Sequence, residues 1–180
     1  VCGTRIREMT RGLDVGMAIF GGQAMVAWYS GVELVVEGHT GLTDRTIAAQ
    51  PVTDRRRIGH EKLASLAYLR ERGVDLVFEC PIGLPPAARQ RLVPGRHAFA
   101  ELSPDARGYL ITYDPALIAT LRQRGARIPS FESTLDAYIA SMSTRTDAQI
   151  SADYAEFVSF YFRWADDPIR QGYFTRRLGR

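Results

Sequence analysis

The residues best suited to chemistry lie in one stretch, between Gly41 and Lys62. The stretch contains a carboxylate at Asp44, an imidazole at His60, a second carboxylate at Glu61 and the only lysine of the chain at Lys62. It links a strand-like run to a helix-like run, and loops at the ends of strands are where α/β proteins place their functional groups. We therefore expect these side chains to lie side by side at the carboxyl edge of a sheet and to form one pocket for a polar ligand.

Catalysis and metal binding are two interpretations of this stretch. Asp44, His60 and Glu61 could act as acid and base in a hydrolytic or transfer reaction if hydrogen bonds join them inside a cleft. Acyl transfer has no candidate nucleophile, because the sequence contains neither GxSxG nor a cysteine near a histidine. A metal site built from His39, Asp44 and His60 would have a spacing that matches no familiar ligand pattern, so we predict no metal.

Ligand binding and local structure are the other two interpretations. In a binding site the carboxylates would accept hydrogen bonds from sugar hydroxyls, and the cations would engage phosphates. In a structural role Asp44 would cap a short helix over residues 42–49, or lie in its first turn with Thr43 as the cap. His60 and Glu61 would cap the start of the next helix, and Lys62 would be solvated. Our candidates for ligand binding are Asp44, Arg45, His60, Glu61 and Lys62.

The composition indicates a folded globular chain and excludes an obvious nucleic-acid partner. With 180 residues, 46% hydrophobic and 24% charged, the chain is long enough to bury one continuous core. A net charge of +3 is too small to argue for nucleic acid. The densest basic run, Arg55-Arg56-Arg57, lacks the interleaved aromatic residues of a single-strand groove, so we interpret it as a solvated loop.

The two cysteines bear on whether the protein resides in an oxidising or a reducing compartment. Cys2 and Cys80 could form a disulfide in an oxidising compartment or remain separate thiols in a reducing one, and both possibilities stay open.

The pair Gly21-Gly22 lacks the spacing of a dinucleotide-binding loop, so we expect no cofactor. Because the chain begins with Val1 rather than methionine, we expect it to be a piece of a longer protein.

The first half of the chain has the rhythm of βαβ units. Apolar runs predict strands at residues 15–20, 32–36 and 74–78, and helical patterns fall at residues 5–12, 23–29 and 61–72. This succession indicates a sheet that is at least partly parallel. The uncharged stretch 15–32 is interrupted by Gly21, Gly22 and Ser30, so we predict strand, turn and helix there rather than a membrane-spanning helix.

The second half begins with a connection and a hairpin. Four prolines predict a long irregular connection over residues 80–95. Residues 97–102 and 108–113 are typical of antiparallel strands joined by a turn at Ser103-Pro104-Asp105. Asp114-Pro115 then supplies the cap and first residue of a helix.

The C-terminal third is expected to be helical and docked. Ser133 is the predicted start of one helix, and a polar stretch at 143–149 separates it from the next. Residues 150–164 carry too much aromatic surface for a free tail and should pack on the body or on a partner. The whole pattern predicts an α/β fold: a Rossmann-like three-layer sheet, partly parallel, with a C-terminal antiparallel hairpin and a helical tail. We expect an α/β domain over residues 1–145 and a helical extension packed on it over residues 146–180.

Several segments between residues 15 and 78 resemble a soluble region of certain bacterial membrane proteins. They are AIFGGQA at 18–24, WYS at 28–30, GLTDRTIA at 41–48, RIGHEK at 57–62 and YLRERGVD at 68–75. The proteins in question are polytopic and glycosyltransferase-like, similar to lipid-phosphosugar-dependent arabinofuranosyltransferases and mannosyltransferases. In them this region follows the last transmembrane helix.

The resemblance implies a function that the residues alone do not. The chain would be an extracytoplasmic domain at the inner membrane of the cell envelope, and the catalytic acid would lie in the membrane-embedded part, so no catalytic residue carries over to it. We expect a noncatalytic domain that assists acceptor-glycan binding or orients that part of the same protein. A glycan or a polyprenyl-phosphate sugar would be its ligand. The alternatives are a free-standing soluble enzyme in the cytoplasm, acting on a small polar or phosphorylated substrate, and a protein-interaction module.

Overall fold

The sheet is mixed and has parallel and antiparallel parts. A computed structural model describes residues 2–20, 24–52, 61–79, 84 and 86–179. Its strands are β1 (Gly16–Ile19), β2 (Leu34–Glu37), β3 (Leu76–Glu79), β4 (Ala98–Ser103) and β5 (Ala106–Leu110). They form one sheet in the order β2-β1-β3-β5-β4, with β1 parallel to β2 and β3, and β5 antiparallel to β3 and β4. The predicted α/β class, with a partly parallel sheet and an antiparallel hairpin, is confirmed.

Helices connect and cover these strands. They are α1 (Cys2–Thr10), α2 (Ala24–Ser30), α3 (Arg45–Ala48), α4 (Leu66–Glu71), α5 (Pro86–Arg91), α6 (Pro115–Gln123), α7 (Phe131–Ala140), α8 (Asp147–Phe157) and α9 (Pro168–Arg177). A 3₁₀ turn at Met142–Thr144 precedes α8, and a π-helical turn at Val158–Phe162 follows it. Within the described ranges no helix has the length and apolar character that crossing a bilayer requires.

The sheet is the middle of three layers. Successive strand residues point to opposite faces, so Met17 and Ile19 of β1 pack into one core while Ala18 packs into the other. The first core also takes buried side chains from α1, α6, α7, α8 and α9. The second takes Ile47 of α3 and Leu69 of α4, as well as a buried alanine of α5. The predicted three-layer arrangement is therefore confirmed.

Aromatic rings from the C-terminal helices complete the first core. Phe157 and Phe160 are fully buried, and the ring of Phe160 lies 4.7 Å from that of Phe131 on α7. Phe174 of α9 stacks on Tyr154 of α8 with a centroid distance of 5.1 Å. The predicted docking of the aromatic segment on the body is confirmed, because these rings share one core with β1, β3, β4 and β5.

The helix predicted over residues 61–72 begins later than expected. It starts at Leu66, where the hydroxyl of Ser65 accepts a backbone N–H of the first turn at 3.1 Å. Residues 61–65 are not helical, and the Ala64 N–H donates instead to the carbonyl of Gly38 at 2.8 Å. This bond anchors the connection beside the end of β2, which the helical periodicity could not reveal.

The bounds of three other helices differ from those predicted from the sequence. The connection predicted as irregular over residues 80–95 contains α5, because proline is well tolerated at the first position of a helix and Pro86 stands there. The next correction concerns α7, which is capped by Ser130 rather than by Ser133. The polar stretch at 143–149 is partly helical, since Thr146 and Gln149 form a capping box that begins α8.

The N-terminal cysteine lies inside the fold. Cys2 is buried on α1 and is disulfide-bonded. Cys80 is the other cysteine of the sequence, and it lies outside the described residues, as do Gly21-Gly22 and the run 55–57.

Candidate binding site

A groove lies at the carboxyl edge of the parallel strands. Ligands of open α/β sheets bind outside this edge, where the loops after the strands diverge. Here α2, which follows β1, and residues 40–43, which follow β2, line a groove of about 480 Å³. The lining residues are Ile19, Ala24, Ala27, Trp28, Val32, Val35, Glu37, Thr40, Leu42 and Thr43.

Large apolar side chains stand exposed around this groove. The exposed fractions of Trp28 and Leu42, which both line it, are 79% and 88%. Met25 and Tyr29 are also exposed, and they lie three residues before and one residue after Trp28 on α2. Exposed apolar side chains clustered around a concavity are typical of a binding surface. The groove and the exposed side chains of Trp28 and Leu42 that line it are therefore the candidate site, which we call the edge groove.

The polar side of the edge groove is organised by Glu37. Its carboxylate accepts the backbone N–H of His39 at 3.0 Å and that of Thr40 at 2.8 Å. It also accepts the hydroxyl of Thr40, whose oxygen in turn accepts the N–H of Leu42 at 3.2 Å. The carboxylate thus holds the turn that presents Leu42 to the groove. Thr43, which also lines the groove, is exposed.

Glycine is required at the start of this turn. Gly41 has φ of +73°, and a Cβ built there would lie 2.7 Å from the backbone nitrogen of Ala48 on α3. L-residues rarely adopt this conformation, and the space is filled in any case. Glycine is therefore needed at the first position of the Gly-Leu-Thr-Asp segment, because the turn passes close to the backbone of α3.

Asp44 caps α3 and lies away from the edge groove. One carboxylate oxygen accepts the N–H groups of Thr46 at 2.9 Å and Ile47 at 3.0 Å. Tyr68 of α4 and Arg72, the residue directly after α4, reach the same carboxylate, and only 5% of the Asp44 side chain is exposed. Burial alone would raise the pKa of Asp44, but the hydrogen bonds from Ile47 and Tyr68 and the charge of Arg72 hold it below its usual value. Asp44 itself is therefore the cap, as the structural interpretation allowed, and Thr43 is not.

The other candidates are distributed around α3. Lys62 donates to the backbone carbonyl oxygens of Ala48, at 2.7 Å, and Gln50, so its ammonium group stabilises the C-terminal end of α3 rather than standing in solvent. Arg45 is exposed at the first position of α3, and Glu61 is half-buried. His60 lies outside the described residues. Lys62 thus lies at the C-terminal end of α3 and Asp44 at its N-terminal end. The edge groove is lined by Leu42 and Thr43 and by none of the four described candidates, and ligand binding by these five residues stays a prediction.

Sequence reasoning did not single out the residues that shape the edge groove. Trp28 sits in a seven-residue helix that is apolar on every side, AMVAWYS, and such a helix must expose some of its apolar side chains if only one face packs. This apolar pattern could have indicated that Trp28 is exposed. No sequence pattern indicated the exposure of Leu42, because it depends on the turn that Glu37 holds.

No metal centre is evident in the described part of the chain. Groups of three or more histidine, cysteine, aspartate or glutamate side chains that could hold an ion do not occur there. Comparison with protein-family models, with curated proteins and with solved structures finds no match for the chain.

Proposed function

We propose that the chain is a noncatalytic, extracytoplasmic domain that binds a glycan for a membrane-bound glycosyltransferase-like protein of the cell envelope. The single observation that carries the proposal is the exposed indole of Trp28 on the wall of a groove at the carboxyl edge of the sheet. Indole rings stack on the apolar faces of sugars, and the position is where this class of sheet binds its ligands. The sequence resemblance to polyprenyl-phosphate-sugar-dependent enzymes favours a sugar as the ligand.

The chemistry of the groove supports binding rather than catalysis. The exposed hydroxyl of Thr43 lies on the same groove as the indole of Trp28, so stacking and hydrogen bonding can act on one ligand. Two of the charged candidates nearby serve the fold, since Asp44 caps α3 and Lys62 binds the carbonyls of Ala48 and Gln50. The disulfide-bonded state of Cys2 agrees with an oxidising compartment outside the cytoplasm.

Tryptophan fluorescence tests this proposal at one residue. The chain has two tryptophans, Trp28 and Trp164, so the Trp164→Phe variant leaves Trp28 as the only reporter. We expect a saturable fluorescence change on titration with arabinan and mannan oligosaccharides. Trp28→Ala in the otherwise native chain should abolish binding measured by calorimetry, and Tyr173→Ala, which removes an exposed ring from α9, should leave it unchanged. Absence of binding to every envelope oligosaccharide would overturn the proposal.

A second candidate is docking of an apolar segment, namely the membrane-embedded part of the same protein. The floor of the edge groove favours it, because Ile19, Val32 and Val35 offer aliphatic surface that a sugar does not need. Leu42→Glu separates the two functions, since a carboxylate at the rim opposes an apolar partner more than a sugar stacked on Trp28. Loss of association with the membrane part together with retained oligosaccharide binding would show that both occur.

A further inference from the structure

A second concave surface runs along α7, and the edge groove does not include it. Two adjoining cavities of about 280 and 260 Å³ lie between α7 and the segment that leads into β4. They share Pro94, Gly95 and Thr134, so they form one continuous groove, which we call the α7 groove. The first cavity is walled by aromatic rings, including Phe99 and Tyr109, and the second by charged groups.

Small side chains on one face of α7 leave the space open. Ser130, Thr134, Ala137 and Ser141 all line the groove, and their spacing of four, three and four residues places them on one side of the helix. Three of the four carry hydroxyl groups. The α7 groove therefore has hydrogen-bonding groups along its length.

The charged end of the α7 groove has more positive than negative charge. Asp153 is almost fully buried there and accepts a hydrogen bond from Tyr138 at 2.7 Å. Two guanidinium groups face this one carboxylate: Arg96 pairs with it closely, and Arg145 approaches only to 3.9 Å. The Arg145 side chain is 38% exposed, and its guanidinium lies 4.5 Å from the ring of Tyr138, which fixes its plane. One positive charge is thus left over at the mouth of the groove.

The deep wall of the other cavity is formed by His97. Its Nε2 lies 3.2 Å from Arg70 and 3.4 Å from Glu156, and its Nδ1 lies close to the backbone of Val93 without a hydrogen bond of standard geometry. Burial lowers the pKa of His97, so the imidazole is neutral near pH 7. The excess positive charge of the α7 groove therefore comes from the two arginines and not from the histidine.

We propose that the α7 groove binds a small molecule bearing an oxyanion, a phosphate or a carboxylate, through Arg96 and Arg145. Paired guanidinium groups are the preferred protein partners of both anions, because their N–H groups match the spacing of the anion oxygens. The hydroxyl of Thr134 lies along the same wall and can bind the polar body of the ligand, whereas that of Ser141 donates to the backbone carbonyl of Tyr138 at 2.8 Å and can only accept. This site is separate from the edge groove and does not depend on the proposed glycan binding.

Anion titration of the whole chain tests the site. Inorganic phosphate, phenyl phosphate and acetate would be added in turn, with binding followed by amide chemical shifts of residues 93–97 and 134–145. We expect saturable shifts, with Arg145→Gln weakening phosphate binding about tenfold and Arg127→Gln, a change at an arginine that is 83% exposed elsewhere, leaving it unchanged. Tighter binding of phosphate than of acetate would identify a phosphate site, and the reverse order a carboxylate site.

The controls keep the result interpretable. Arg145 is the less tightly paired arginine, so Arg145→Gln should leave the thermal unfolding midpoint nearly unchanged, whereas Arg96→Gln would remove the closer partner of buried Asp153. Equal phosphate affinity in the native chain and in folded Arg145→Gln would overturn the proposal. Shifts that rise linearly without saturation for all three anions would do the same.

Discussion

The hydroxyl of Tyr68 lies 2.9 and 2.8 Å from the two carboxylate oxygens of Asp44. Arg72, which directly follows α4, reaches the same carboxylate at 2.5 Å. A single side chain therefore caps α3 and connects it to α4. This explains why an acid is needed at this position without any ligand.

Substitution of Asp44 should mainly destabilise the fold. Asp44→Ala removes an N-cap and leaves the Tyr68 hydroxyl without its acceptor, so we expect a loss of about 2 to 4 kcal/mol in the free energy of unfolding. Urea denaturation measures this loss, with Tyr68→Phe as the milder control at about 1 kcal/mol. Oligosaccharide binding by the fraction that stays folded should be unchanged. A variant of native stability that no longer binds would instead assign Asp44 to the ligand site.

The free energy of unfolding should decrease as the pH is lowered, because His97 is buried in the folded chain as a neutral imidazole. In the unfolded chain this imidazole has its ordinary pKa of about 6.5, whereas burial lowers its pKa in the folded state. As pH drops below about 6.5, the unfolded state takes up a proton that the folded state does not, so the free energy of unfolding decreases until the folded pKa is reached. The limiting slope for one proton is about 1.4 kcal/mol per pH unit.

Urea melts between pH 8 and pH 5 check this prediction. Glu156, whose pKa is held at about 2 chiefly by its hydrogen bond with His97, stays ionised across that range. The native chain and His97→Gln share the remaining histidines, His39 and His60, so the difference between their profiles reports His97. Parallel profiles for the two proteins would contradict the assignment.

Gly16 should tolerate no side chain. A Cβ built there would lie 1.9 Å from the carbonyl oxygen of Gly73, at the point where β1 meets the chain that enters β3. We expect Gly16→Ala to cost more than about 3 kcal/mol or to prevent folding, because backbone on both sides must move. Gly12→Ala is the matched control: its Cβ meets open space, and only the φ of +70° is strained, at about 1 kcal/mol. Thermal unfolding of both variants would show equal losses if crowding at Gly16 were unimportant.

Arg170 should hold α9 against α7. Its guanidinium makes two parallel bonds to Asp136, at 2.7 and 3.0 Å, and a third to Asp167 at 2.7 Å. Lysine cannot reproduce this planar fork, so Arg170→Lys should speed hydrogen exchange of the α9 amides about tenfold while the β1 amides keep their protection. Arg176→Lys, at an exposed position that stacks on Tyr173, should not change α9 exchange.

Local signals in the sequence were enough to predict the layered sheet. Asp114-Pro115 begins α6 as expected, because a cap and a first-turn proline act within three residues. The hairpin of β4 and β5 and the stop at Gly73, with φ of +75°, follow from equally local rules. The α/β class could therefore be predicted from the order of these elements.

The candidate site depended on contacts that no local rule contains. Tyr68 and Arg72 reach Asp44 across 24 and 28 residues, and they turn a possible ligand-binding acid into a structural one. Trp28 lies in one of the segments that carry the family resemblance but was not singled out, because its exposure depends on how α2 lies against α1. The role of Asp44 and the exposure of Trp28 both depend on how distant segments of the chain pack together. The order of residue types along the sequence does not contain this information.

The first and last helices share a single core. Ile6 of α1 and Phe174 of α9 are both fully shielded from solvent among the same neighbours. A nascent chain that has emerged only as far as α8 would leave Tyr154 and Phe157 without the ring that covers them. Docking of α9 is therefore the step that removes this aromatic surface from water, and a partly folded chain in which α9 is not docked is prone to aggregation.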